Sequence, residues 1–229
     1  MIDLDHAVGF SGKVVNSVYL HPNQKDYILI AGCSIVVGNL NDPHDQSFLT
    51  AHDDQVTCMA VANKGGLLAT GQKGDNSDIV IWDYGTKKAI FRLSEHDNEV
   101  CFLDFSHDDR LLLSTGSQLD GKLFIWNTSN GYIVSSMQLI PQVFATQASC
   151  LKWGGYVKDV KLRPTDRYQF AMAGSKKLTL WGLEPATGQV TTELISTGTF
   201  VRDYTCMCFS IPDEQYLFAG TSSGDFCCF

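Results

Sequence analysis

Two tryptophans, Trp82 and Trp126, stand 44 residues apart, and each closes a run of the form apolar-apolar-Trp-(Asp/Asn). Each also follows a histidine by 30 residues, His52 in the first case and His96 in the second. A fixed period of roughly 40 to 45 residues, opened by a histidine and closed by Trp-Asp, is the repeat signature of a four-stranded propeller blade. Strand content extends the period in both directions. Ile79-Val80-Ile81-Trp82 aligns with Leu123-Phe124-Ile125-Trp126, with Lys177 to Trp181 downstream, and with Ile35-Val36-Val37 before Gly38 upstream, again 44 residues from Trp82.

Polar turns precede each of these strands: His21-Pro22-Asn23, Asn63 to Gly66, Ser106 to Asp109, Arg163-Pro164-Thr165-Asp166 and Pro212-Asp213-Glu214. Such residues supply turn dihedrals and local hydrogen bonds, so five hairpins are predicted. Their first strands are expected to open at Val15, Val56, Val100, Val157 and Tyr204. The long third interval marks an insertion from Gln138 to Gly155, whose Pro141, Gln142, Thr146 and Gln147 read as a loop. Outer strands are assigned to Lys88–Leu93, Tyr132–Met137 and Val190–Ile195, and no helix survives the turn signals. The expected class is all-β, with about five blades' worth of four-stranded antiparallel sheet at residues 11–40, 50–84, 94–127, 154–183 and 200–229. The last blade stops after its third strand. Either a strand around Leu4 to Val8 closes a five-bladed ring, or the chain is a truncated piece of a longer propeller.

With 229 residues and 44% hydrophobic content the chain reads as one globular domain. A formal net charge of -8 argues against nucleic acid or anionic lipid as partner. The longest apolar stretch, Tyr27 to Val37, is too short to span a membrane. The first ten residues carry no basic segment ahead of an apolar one, which predicts no secretory signal, and the eight cysteines read as reduced thiols in an intracellular protein.

The repeats resemble Trp-Asp repeat proteins over nearly all of Val14 to Phe229. Asp78 to Tyr84, Arg92 to His96, Phe105-Ser106, Asp120-Gly121 before Trp126, the opening Leu4-Asp5 and Val8-Gly9-Phe10, and Ala219 to Asp225 are similar to the N-terminal propeller of the cilia- and flagella-associated members. The family packs seven blades in a ring, which favours the truncated arrangement. The resemblance also implies a buried hydrogen-bonded chain in each complete repeat. In the third repeat it would comprise His96, Ser114, Asp120 and Trp126, and in the second His52, Thr70, Trp82 and either Asp75 or Asp78, the acid displaced by the insertion from Lys73 to Ser77, so that this second chain is expected to be incomplete or rearranged. The first, fourth and fifth repeats lack the histidine and are expected to rely on apolar packing.

A Ser-His-Asp trio also invites a hydrolase reading. Its recurrence from repeat to repeat suits scaffolding instead, and no G-x-S-x-G turn presents a serine. The starts of the innermost strands, Val14-Val15, Gln55-Val56, Glu99-Val100, Tyr156-Val157 and Asp203-Tyr204, form no matched set of catalytic groups. Cys206 and Cys208 share a strand face, Cys227-Cys228 do not, and neither pair has zinc-site spacing, so no metal or cofactor is expected. His52-Asp53-Asp54 and His107-Asp108-Asp109 read as solvated turns. The expected function is a non-enzymatic protein-interaction scaffold. The resemblance implies lumenal reinforcement of axonemal doublet microtubules in a cilium or flagellum, with tubulin and other axonemal proteins as partners; the alternative is a cytoplasmic adaptor in signalling or ubiquitin-ligase assembly. An acidic chain suits the microtubule lumen better than an outer wall that carries acidic tails. Candidate partner-binding loops, placed on one rim, are Asp53-Asp54, Asp97-Asn98, Lys158-Asp159 and Arg202-Asp203.

Overall fold

A computed structural model describes residues 5–9, 12–140, 148–174, 176–198, 201–211 and 214–229, in which there are nineteen strands and no helix. They form five antiparallel sheets, each with its strands in sequence order. The first contains β1 (Val18–Leu20), β2 (Asp26–Ala31), β3 (Ser34–Asn39) and β4 (Gln46–Thr50); the second β5 (Val56–Val61), β6 (Leu67–Gln72), β7 (Ser77–Asp83) and β8 (Lys88–His96). The third holds β9 (Val100–Phe105), β10 (Leu111–Gly116), β11 (Lys122–Asn127) and β12 (Ile133–Gln138); the fourth β13 (Cys150–Lys158), β14 (Pro164–Gly174), β15 (Lys177–Glu184) and β16 (Gln189–Leu194). The fifth has three strands, β17 (Tyr204–Phe209), β18 (Leu217–Thr221) and β19 (Phe226–Cys228).

Successive sheets pack face to face, and the pleat explains why the middle strands are apolar without a break. Side chains alternate between faces, so Ile79 and Ile81 of β7 enter the seam with the third sheet, whereas Val80 and Trp82 enter the seam with the first. Leu111 and Leu113 of β10 likewise face the fourth sheet while Leu112 faces the second. Trp82, Trp126 and Trp181 all point to the seam with the preceding sheet. A fourth seam joins Ala171, Ala173 and Leu178 to Tyr204, Leu217 and Ala219. Burying one large aliphatic side chain stabilises by about 1.5–3 kcal/mol, against about 1 kcal/mol net for a hydrogen bond. Apolar seams therefore hold the sheets together, and polar networks position the loops.

Several expectations need correction. The first strand begins at Val18, after Asn16 turns the chain at φ 55°. Gln138 to Gly155 is not all loop, because β13 starts at Cys150 rather than Val157. Gly154 and Gly155 lie within β13, where a Cβ at Gly155 would collide with the Glu214 carboxylate from the β17–β18 connection and one at Gly154 would crowd the Phe209 ring. The hairpin turn consequently falls at Asp159 to Arg163, where the Leu162 N–H donates to the Asp159 carbonyl at 2.9 Å, and Pro164-Thr165-Asp166 belong to β14. The outer strand β4 was not anticipated. Residues 5–9 form no strand; the Ala7 N–H donates to Gln46 Oε1 at 2.9 Å, tying this segment to the first sheet rather than the fifth. Leu4, Phe10, Pro141, Gln142, Thr146, Gln147 and Pro212-Asp213 lie outside the described residues.

Candidate functional site

The polar core of the third sheet is a four-member chain. The Trp126 indole N–H donates to Ser114 Oγ at 2.9 Å, Ser114 Oγ lies 2.9 Å from His96 Nε2, and His96 Nδ1 lies 2.8 Å from Asp120 Oδ2. A carboxylate only accepts, so Nδ1 carries the ring proton and Nε2 is left to accept from the serine hydroxyl. The side chains of His96 and Asp120 are 0% exposed. Asp120 also accepts the main-chain N–H groups of Asp97 at 2.7 Å, Asn98 at 3.3 Å and Lys122 at 3.1 Å. Burial pushes its carboxyl up, but the His96 bond and these N–H donors outweigh it and hold the pKa below the ordinary value.

The second sheet builds the same chain with a different end. Trp82 Nε1–H donates to Thr70 Oγ1 at 2.8 Å and Thr70 Oγ1 lies 2.6 Å from His52 Nε2. His52 Nδ1 then meets Gln72 Oε1 at 2.7 Å, and Gln72 Nε2 passes the contact to the exposed Asp53 at 2.6 Å. Asp78 is not a member. It sits on β7 opposite β8, where it pairs with Arg92 and Ser94, and Arg92 in turn reaches the Ala51 carbonyl. The expected insertion is absent: Thr70 and Trp82 are 12 residues apart, as are Ser114 and Trp126, and the position equivalent to Asp120 is Asn76, so Asp78 lies two residues further on, on the strand, within reach of its cross-strand cation instead of the histidine. Burial, with Arg92 nearby, lowers the pKa of His52 against the opposing pull of Gln72.

One position explains the two solutions. Gln72 follows Thr70 by two residues and Gly116 follows Ser114 by two, so both occupy the same face of the second strand. A Cβ at Gly116 would run into the Asp120 carboxylate. The third sheet vacates this space for an acid from the turn, while the second fills it from the strand itself.

A second set of contacts, missed in the sequence, straps sheets together at the opposite rim. Tyr84 donates to Asp26 Oδ2 at 2.7 Å and stacks on His21 at 3.7 Å, while His21 Nε2 meets the Gly65 carbonyl at 2.9 Å. Asn63 and Lys64 donate main-chain N–H groups to Asp109 at 2.7 and 2.9 Å, and Tyr168 donates to Asp108 at 2.8 Å. The Asp108-Asp109 turn is thus an inter-sheet acceptor rather than a merely solvated one. Asp104 receives Lys152 Nζ and the Trp153 N–H, both at 2.8 Å, and its carbonyl receives the Trp153 indole at 2.9 Å. Burial raises the Asp104 pKa more than Lys152 draws it down. A turn or strand Asp with a Tyr one repeat later, Asp26 with Tyr84 and Asp108 with Tyr168, or with an Asn one repeat earlier, Asp109 with Asn63, was the available signal.

Asp53-Asp54, Asp97-Asn98 and Arg202-Asp203 precede the inner strands β5, β9 and β17 and share a rim. Lys158 ends β13 and Asp159 follows it, so both belong to the other rim, a consequence of that strand's earlier start; Asp159 is ion-paired with Arg163 at 2.8 Å. Asp97 pairs with Lys122 at 2.7 Å, Asn98 accepts from Ser117 at 3.2 Å, and Arg202 pairs with Asp225 at 3.0 Å. Between the inner strands lies a concavity of about 460 Å³ bordered by Tyr19, Gln55, Lys73, Glu99 and Cys101. Burial, reinforced by Asp104, pushes the Tyr19 hydroxyl up to about 12, and burial with Glu99 does the same to the Cys101 thiol. Both therefore stay protonated at neutral pH and are poor nucleophiles. Among the described residues no cluster of three His, Cys, Asp or Glu is placed to hold a metal ion.

The family model for the WD domain, G-beta repeat, matches residues 44–83 and 87–127. The fold is a WD40 propeller fold. At this level the chain resembles a chain in the crystal structure of the mitotic checkpoint complex, with a TM-score of 0.69 and 18% identity over 92% of this chain and 60% of that one. In sequence it is 30% identical to cilia- and flagella-associated protein 52 of Chlamydomonas reinhardtii over 225 residues, which cover 97% of this chain and 34% of that protein. The Homo sapiens protein of the same name is 28% identical, with 98% and 35% covered. WD repeat-containing protein 90 of Xenopus tropicalis is 27% identical over 80% of this chain and 9% of its own length. The chain thus spans about a third of the length of the cilia- and flagella-associated relatives. Each matched WD40 repeat straddles two sheets: residues 44–83 take in β4 with β5, β6 and β7, and residues 87–127 take in β8 with β9, β10 and β11.

Proposed function

We propose that the chain is a non-enzymatic protein-interaction scaffold of a cilium or flagellum, a structural component on the lumenal side of axonemal microtubules. The observation that carries this reading is the alignment with cilia- and flagella-associated protein 52 across 97% of the chain, far beyond the two matched repeats. The polar chemistry supports a scaffold: His96, Ser114 and Asp120 spend their hydrogen bonds on Trp126 and on loop main chain, leaving no nucleophile turned to a substrate. The rim of Asp53-Asp54, Asp97-Asn98 and Arg202-Asp203, set on rigid strands, is the surface offered to tubulin or a neighbouring lumenal protein. A net charge of -8 suits a contact away from tubulin's acidic tails. The test is to express the tagged chain in ciliated cells and extract isolated axonemes with detergent and then salt. Retention with the doublets is expected. Recovery in a soluble cytosolic complex overturns the ciliary assignment in favour of an adaptor.

A further inference from the structure

The β13–β14 hairpin outreaches its counterparts in the neighbouring sheets. Phe170 of β14 pairs with Trp181 as Leu68 of β6 pairs with Trp82 and Leu112 of β10 with Trp126, so the three positions are equivalent. β6 and β10 begin one residue before that position, whereas β14 begins six before it, at Pro164. Five further residues at about 3.3 Å each carry the hairpin roughly 16 Å past the rim that the other turns define. Pairing with β15 stops at Tyr168 and Leu183, so among the described residues Pro164 to Arg167 have only β13 beside them in the ladder.

This finger is held stiff at base and tip. At the base the Tyr156 ring stands edge-on to His107 at 4.5 Å and lies 5.0 Å from the ring of Tyr168, whose hydroxyl is fixed by Asp108. At the tip one oxygen of Asp159 accepts the N–H groups of Lys161 at 2.8 Å and Arg163 at 3.0 Å, and the other accepts the Arg163 guanidinium at 2.8 and 2.9 Å. Thr165 closes the neck by donating to the Val157 carbonyl at 2.6 Å.

The side chains carried on this frame are the wrong kind for a solvated turn. Val160 is 100% exposed and Leu162 64%. Leu162 also adopts the left-handed region at φ 60°, where the matching turns place Gln24, Gly65 and Asp109, each donating its N–H to the carbonyl three residues back as Leu162 does. Leucine has no polar side chain to offset that conformation, and here it gains no burial in return. β13 packs between β9 of the third sheet and β17 of the fifth, so the exposure belongs to the projecting hairpin and not to an unfilled seam. Between 158 and 167 the cations Lys158, Lys161, Arg163 and Arg167 outnumber the carboxylates Asp159 and Asp166 by two, in a chain whose net charge is -8.

We propose that this hairpin is a docking finger whose Val160 and Leu162 enter an apolar pocket on a partner protein, with Lys161 and the basic excess around it facing carboxylates on the pocket's rim. A rigid apolar anchor loses little freedom on binding, and opposite charge fixes its approach. A flat anionic bilayer would bring the acidic body behind the finger towards its own charge, whereas a pocket engages the tip alone. This deepens the scaffold reading, and rests on it only in taking the partner to be a protein; the surface is a second one, on the rim opposite Asp53, Asp97 and Arg202.

The test places p-benzoylphenylalanine at Val160 in the chain expressed in ciliated cells, illuminates them, and identifies the cross-linked peptide by mass spectrometry. A protein adduct is expected, at an apolar site bordered by Asp and Glu. Lys158→Glu with Lys161→Glu should lower its yield at least about tenfold while the circular dichroism of the purified variant holds. Leu162→Gly removes the anchor and suits φ 60° better, so the yield should fall while the unfolding midpoint holds or rises; a purely structural leucine would lower the midpoint. Absence of an adduct, an adduct to lipid or to a second copy of the chain, a yield unchanged by the lysine reversals, or a lowered midpoint in Leu162→Gly overturns the proposal. Absence of an adduct with axonemal retention intact sinks this inference alone; a charge-dependent protein adduct on a chain recovered from the cytosol sinks only the ciliary assignment.

Discussion

The second and third sheets reach the same end, a buried tryptophan held through a hydroxyl and an imidazole, by opposite treatments of charge. In the third, the ionised carboxylate of Asp120 is drawn inside and surrounded by His96 and three main-chain donors. In the second, the neutral amide of Gln72 caps the histidine and exports the charge to Asp53 at the surface. A buried carboxylate can gather several loop N–H groups at once, but each is orphaned if it is lost. An amide gathers fewer, and its failure is milder.

That asymmetry is open to direct attack. Asp120→Ala should destabilise by about 3–5 kcal/mol, because the His96 ring and several main-chain donors each lose an acceptor at about 1–3 kcal/mol, whereas Gln72→Ala, which strips His52 of one partner, should cost about 1–3 kcal/mol. Urea midpoints of the two variants measure the gap, and equal losses would erase the distinction. Next in size is a transplant. Gly116→Gln placed on Asp120→Ala puts the second sheet's solution into the third, and a double-mutant cycle should show a favourable coupling of about 0.5–3 kcal/mol.

Acid separates the sheets further. His52 has a lowered pKa, so the unfolded chain takes up its proton first, and the stability His52 contributes is lost as pH falls below its unfolded value of about 6.5. Asp120 is depressed too, but its contribution persists above the unfolded carboxyl value of about 3.9 and disappears only as pH falls through its lower folded pKa. Between those limits the network of Trp82 should weaken before that of Trp126. Amide exchange along β6 and β10 at pH 7 and pH 5 checks the order, and Gln72→Glu, which gives His52 a carboxylate, should blunt the early loss. The smallest effect belongs to Asp78→Ala. Its ion pair with Arg92, a side chain 46% exposed, is worth about 0–1 kcal/mol. A loss above that of Gln72→Ala would return Asp78 to the network.

The sequence disclosed the repeating architecture because period and polarity agree: β-branched runs, turn residues and tryptophan all recur together. The family resemblance carried by that register points to His52, Thr70, His96 and Ser114 as members of their chains. It could not disclose Gln72, since the resemblance points to an acid in the turn and glutamine is not an acid. The parity of positions 70 and 72 was the legible hint. The insertion read from Gln138 to Gly155 took in Gly154 and Gly155, which belong to β13. Glycine in a strand permits close approach by a neighbour, and that neighbour, the fifth sheet, is distant in sequence. The Asp104–Trp153 and Asp108–Tyr168 straps were hidden likewise, because each half is an ordinary turn or strand residue until the seam forms.

The straddling of each repeat across two sheets amounts to a lap joint. The chain runs from the outer strand β4 directly into the inner strand β5, and from β8 into β9, so two of the seams are bridged by continuous backbone within a single repeat. Two sheets cannot slide past each other there without peeling an outer strand from its ladder. Shear at these two seams is then resisted by the ladder of the outer strand and the apolar contact together.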